Sequence, residues 1–143
     1  MTAAESVRTF VLTLSPVTAL VSGRVFSPYL PQDMTASSFP ALLIQQISDV
    51  QEPHLRGTSA LRRCRIQVDA YAKTIAAARA LDQAVMGTYT AGSATGLRGT
   101  TATIGAAQIV ACQSSRYSEA YEAEELGQRR VSRDYDVFIT GLD

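Results

Sequence analysis

The sequence has one histidine, His54, and it sits beside Pro53 in a polar stretch with no nucleophile or second metal ligand close by. A serine hydrolase needs a base beside its nucleophile, and this imidazole is the only conventional base in 143 residues. No serine falls in a G-x-S-x-G or S-x-x-K setting, so the chain carries neither a nucleophile elbow nor a serine–lysine pair. Cys64 and Cys112 lack paired spacing and lie in apolar, strand-like runs. A thiol there behaves as a small buried hydrophobe, which argues against a disulfide scaffold and for a reducing compartment. With so few imidazole and thiolate donors, a zinc site would depend on carboxylates. The expectation is therefore no catalytic residue, no metal and no cofactor.

Two further groups have the composition of a site without its context. Glu119, Glu122, Glu124 and Glu125 form an acidic run, but nothing around them buries one carboxyl to raise its pKa as acid catalysis requires. Gly92, Gly96 and Gly99 lack the lysine and the strand–turn–helix frame of a phosphate loop. The strongest local charge feature is basic: Arg62, Arg63 and Arg65 in one segment, Arg129, Arg130 and Arg133 in another. Some of these should pair across strands with Asp134 and Asp136. The others, with His54 and Arg56 on the intervening polar segment, are candidates for a surface facing a partner subunit or passing DNA.

The bulk properties agree with a protein that works through its surface. Thirteen basic and thirteen acidic residues cancel, so no global field draws the chain to nucleic acid or to an anionic membrane. The 46% hydrophobic content suffices for one compact domain over residues 1–143, with a core that needs no staples. No apolar run reaches the roughly twenty residues that span a bilayer, and the first residues do not resemble a signal peptide. These features predict cytoplasmic synthesis, with no membrane partner.

The elements that would position these residues follow from periodicity. Thr2 and Glu5 form a capping box ahead of Val7, Phe10, Val11 and Leu14 at helical spacing. Pro16 starts a short second turn that Gly23 ends. Strands are predicted at 24–26 and 39–48, with an exposed loop over 27–38 between them. The polar segment 49–59 then links to the next strand as a hairpin arm. Residues 61–72 alternate, with Cys64, Ile66, Val68 and Ala70 on one face and Arg63, Arg65, Gln67, Asp69 and Tyr71 on the other. Thr74 caps a helix to about Met86, whose stripe is Ile75, Ala78, Leu81 and Val85. Residues 87–100, rich in Gly, Ser and Thr, predict a flexible connection. A long β-prone run over 101–114, an acidic excursion over 116–127 and an alternating strand over 129–140 complete the chain. The fold class is α+β: an antiparallel sheet with two main helices on one face.

These motifs carry a resemblance. Gly23-Arg24-Val25-Phe26, then Phe39-Pro40-Ala41-Leu42, then Gln67-Val68-Asp69-Ala70-Tyr71-Ala72 leading into a helix, resemble the tail-completion or tail-terminator proteins of tailed phages. The ending, Arg133-Asp134-Tyr135, looks like that family's last strand. The resemblance implies a non-enzymatic virion protein forming a ring, commonly hexameric, at the head-proximal end of the tail. Such a ring ends tube polymerisation and meets the head connector. Its implied partners are further copies of itself, the tail-tube protein and the head-connector or neck protein, with DNA passing through the lumen without sequence-specific binding. A neck or connector subunit is the alternative reading, and a small nucleic-acid-binding module is a weaker one.

Overall fold

Residues 2–32, 38–54, 57–121 and 129–142 are described by a computed structural model, the side chains at 52–54, 57–59 and 120–121 excepted. Helix α1, Ala3–Val11, begins where the sequence places its capping box. The Thr2 hydroxyl accepts from the Glu5 backbone N–H at 3.1 Å, and the Glu5 carboxylate accepts from the Thr2 N–H at 2.7 Å. The predicted short turn is helix α2, Ser15–Val21, with Pro16 in its first turn and the left-handed Ser22 and Gly23 stopping it. Helix α3, Ile75–Met86, is capped by Thr74 as its sequence predicts.

Strands β1 (Val25–Phe26), β2 (Ala41–His54) and β3 (Gly57–Ala72) follow α2. After α3 come the two-residue strands β4 (Tyr89–Thr90) and β5 (Ser93–Ala94), then β6 (Ala102–Ile104), β7 (Ala107–Tyr121) and β8 (Arg129–Thr140). Six of them form a sheet in the order β1-β2-β3-β8-β7-β6, while β4 and β5 pair separately. Every pairing in the large sheet is antiparallel except β1 with β2. The helices pack through Val7, Val11, Val17, Val21, Leu81 and Val85 into one core with Leu42, Ile44, Ile66, Val137 and Ile139. The α+β class, with its helices on a mostly antiparallel sheet, is the one the sequence predicts.

Three segments, 87–100, 101–114 and 116–127, differ from their sequence reading, and a fourth, 49–59, agrees with it. The polar segment at 49–59 is the hairpin arm that the sequence predicts: β2 runs on to His54 and β3 begins at Gly57, with Pro53 opposite Thr58 and His54 opposite Gly57. Polar side chains on both strands suit a ladder with little core beneath it. The run at 101–114 contains a hairpin, with Ile104 opposite Ala107 across a Gly105-Ala106 turn, and Gly105 at φ +60° takes the first turn position. The acidic excursion starts as ladder too, since β7 stays paired with β8 through Tyr121 opposite Arg129. Residues 122–128 lie outside the described part.

The predicted flexible connection at 87–100 is packed instead. Leu97 is fully buried, its N–H donates to the Val85 carbonyl at 2.8 Å, and the Gly99 N–H donates to the Cys112 carbonyl at 2.8 Å. The small residues here permit close backbone approach rather than looseness: a Cβ on Gly96 would lie 2.6 Å from both the Gly87 nitrogen and the Val85 oxygen. Cys64 and Cys112 are buried and unpaired, as expected. Burial, aided by the Asp49 charge at Cys64 and the Asp136 charge at Cys112, pushes both thiols up to about 12. Gly96→Ala should lower stability by about 1–3 kcal/mol through overpacking. Gly92→Ala, whose Cβ meets nothing within 4 Å, should cost only about 1 kcal/mol of left-handed strain. Urea midpoints of the two variants test the difference.

Candidate assembly surface

The two faces of the sheet hold their charges differently. On the helix face, Asp82 sits in the apolar stripe of α3 between Ala78 and Val85 and is 3% exposed. Arg133 occupies the corresponding core-facing register of β8, opposite Val68. Its guanidinium binds Asp82 in a fork, with Nε 3.0 and 3.2 Å from the two carboxylate oxygens and Nη2 at 3.0 Å. The same guanidinium lies over the Tyr117 ring, 4.7 Å from its centroid. Outside this pair, Arg79 of α3 donates to Glu119 of β7 at 2.6 and 2.9 Å, and the Tyr117 hydroxyl donates to Glu119 at 2.5 Å. The bond from Arg79, followed by that from Tyr117, holds the Glu119 carboxyl down at about 2. The network ties α3 to β7 and β8.

The opposite face carries no helix among the described residues. Its residues on β3 include Arg63, Arg65, Gln67, Asp69 and Tyr71, with Leu61, and on β8 Arg130, Ser132, Asp134 and Asp136, with Phe138. Asp69, buried at 1% exposure, accepts from the Ser132 hydroxyl at 2.5 Å and the Gln67 amide at 2.9 Å. Arg65 lies directly opposite Asp136 but is bound to Asp134, Nε at 2.9 Å and Nη2 closer. Two shallow grooves cross this face. One, of about 350 Å³, is lined by residues that include Ile47, Arg65, Arg116, Ser132 and Asp134. The other, of about 450 Å³, is lined by Ser48, Arg63, Arg65, Ser115, Arg116 and Asp136.

The arginines grouped by sequence are thus divided. Arg63, Arg65 and Arg130 lie on the helix-free face, whereas Arg62, Arg129 and Arg133 take the helix-face register. Arg62 is bound to Asp49 at 2.8 Å, and Arg133 to Asp82. The expected cross-strand pairing is present in Arg65–Asp134. His54 is placed by its backbone pairing with Gly57, and Arg56 lies outside the described residues. The sequence reading missed Asp82 and Arg133 as a pair. The signal was an acid in a helical apolar stripe and a base in the core register of a strand, each inexplicable without the other.

Among the described residues no group of histidine, cysteine and carboxylate side chains is arranged to hold a metal ion, and no helix is long and apolar enough to cross a membrane. What the fold and its surface define is an α+β subunit whose ionised side chains join strand to strand and helix to sheet. The chain belongs to the tail completion protein gp17 family, whose model matches residues 5–140. It is therefore a structural, non-enzymatic protein of phage-like virion tails. Among solved structures, a chain titled "Virion of native gene transfer agent (GTA) particle" shares the fold at 18% identity and a TM-score of 0.62, over 97% of this chain and 95% of that one. No curated protein matches the sequence significantly.

Removing one member of a buried charge pair strands the other. Asp82→Ala should accordingly cost on the order of 3 kcal/mol, and Arg133→Met in the same chain should recover part of that loss, as read by chemical denaturation. Glu119 gives a pH signature. Its folded pKa of about 2 lies below the ordinary 4.5, so the unfolded chain binds more protons between those values and stability there rises with pH. The stability gap between the native chain and Glu119→Gln should be complete above pH 4.5 and close as pH falls towards 2.

Proposed function

We propose that this chain forms a ring, hexameric in our reading, at the head-proximal end of a phage tail, where it ends tube polymerisation and joins the tail to the head connector. A single domain over residues 1–143 carries this role. The observation behind the reading is the pair of open edges on the large sheet. β1 covers β2 only at Leu42 and Leu43, and β6 covers β7 only from Ala107 to Ile109. Towards His54 on one side and Tyr121 on the other, both long strands lack a second neighbour among the described residues. Past the Cys112 carbonyl, which accepts from the Gly99 N–H, the outer edge of β7 has no strand beside it among the described residues, and neither has β2 beyond Leu43, so both can take a strand from another chain.

The strand directions favour head-to-tail joining. The successive antiparallel pairings of β2, β3, β8 and β7 make β2 and β7 run in opposite directions. A β7 edge can therefore meet the β2 edge of the next copy antiparallel, with both sheets keeping the same face outward. Such a heterologous contact closes into a ring when its rotation divides a full turn. Ile47 and Val50, 50% and 47% exposed on β2, are the apolar residues placed to be covered there.

Deletion of the gene should yield overlong tails, and the native gene should restore normal length. A copy carrying Ile47→Lys and Val50→Lys should fold, remain monomeric on sedimentation and fail to restore length, because lysines on an edge oppose pairing. Tails of normal length that fail to join heads after deletion would instead assign the chain to the neck or connector. Restoration by the lysine variant would rule out the edge contact as the joint between copies.

A further inference from the structure

The helix-free face carries guanidinium groups that the fold itself does not use. Of its arginines, Arg65 is neutralised by Asp134. Arg63 and Arg116 make no ion pair or side-chain hydrogen bond among the described residues, yet both line the larger groove. Arg116 is there because of a backbone irregularity. Between Ser114, opposite Tyr135, and Tyr117, opposite Arg133, β7 has two residues, Ser115 and Arg116, where β8 has only Asp134, a bulge of one extra residue. The bulge is pinned by the Ser115 hydroxyl donating to the Asp134 carbonyl at 3.3 Å. A bulge of this kind re-aims side chains, and this one sets Arg116 at the wall common to both grooves.

We propose that the helix-free face lines the channel of the ring and that Arg63 and Arg116 contact the phosphodiester backbone of DNA passing through it. The inference rests on the ring reading for the position of this face. In a sheet continued from copy to copy, the helices need the larger circumference and so lie outside, which turns the bare face inward. The acidic groups on that face do not cancel it. Asp134 is committed to Arg65, and Asp69 is buried between Ser132 and Gln67. Among the described residues that leaves Asp136 beside two unpaired cations in the larger groove. A guanidinium on a half-wet strand face suits phosphate without reading sequence, and the overall neutrality of the chain keeps the contact weak enough for DNA to move.

The test is fluorescence anisotropy of a short duplex of arbitrary sequence, titrated with the full chain across a salt series, with sedimentation of the same samples. Duplex affinity of the native chain should fall with salt, and Arg63→Ala with Arg116→Ala should flatten the log–log slope by roughly 0.9 for each phosphate that is no longer neutralised. Lys73→Ala, an exposed cation outside this face, should leave the slope unchanged. Native duplex binding by the alanine pair overturns the inference, as does equal competition by polyglutamate, which would assign the face to an acidic protein. Should the alanine pair alter assembly, Arg63→Lys with Arg116→Lys must retain the native slope, or the inference falls. Rings without duplex binding overturn this inference alone. Arginine-dependent duplex binding without rings overturns the ring reading and, with it, the placement of this face in a channel.

Discussion

The contact between Asp82 and Arg133 constrains everything else in this molecule. Two opposite charges are placed inside the seam where α3 meets the sheet, at positions whose neighbours are apolar. Neither tolerates that environment alone, because an unpaired buried charge costs several kcal/mol. Together, in a forked geometry and with the Tyr117 ring against the guanidinium, they admit one rotation of α3 and one register of β8. A purely apolar seam of alanine and valine would let α3 slide by a turn at small cost. The ion pair makes that slide expensive, a gain in uniqueness more than in stability.

Fixing α3 on one face settles what the other face can be. Apart from Leu61, the described outward side chains on β3 and β8 opposite the helices are polar or aromatic, and their pairs, Arg65 with Asp134 and Asp69 with Ser132, run from strand to strand. Those bonds stiffen the sheet without needing a cover. The bulges act in the same sense. Ile47 on β2 and the Ser115–Arg116 pair on β7 interrupt the ladder on the two flanking strands, and each displaces side chains towards the face without helices.

Most of the architecture was legible from local chemistry. The capping box at Thr2 and Glu5, the Thr74 cap and the alternation across 61–72 and 129–140 each have a single-element cause, so each reads correctly from its own residues. The misread segments are those whose conformation depends on distant ones. Gly87, Gly96 and Gly99 look like a flexible link until Leu97 is seen filling the core beneath them. Alternation already parts Arg62 from Arg63 and Arg129 from Arg130; what it does not show is the partner that each arginine meets. The strand register places Arg62 with Asp49 and Arg133 with Asp82, while Arg63 stays on the face without helices.

Edge-to-edge association by itself leaves open whether copies close or extend. A flat sheet with two open edges would add copies indefinitely, the hazard that makes exposed edges rare in soluble proteins. Here the mass is asymmetric: three helices lie on one side and none on the other, and the core residues of all three point into the same face of the sheet. Adjacent copies joined through β2 and β7 would clash on the helix side before they did on the bare side. In the proposed ring the joined sheet curls away from its helices, and it closes because the rotation between copies divides a full turn. On that account the helices do more than close a core, since their bulk sets the angle between copies. In the proposed ring, the charged seam that holds α3 against the sheet then contributes to that angle.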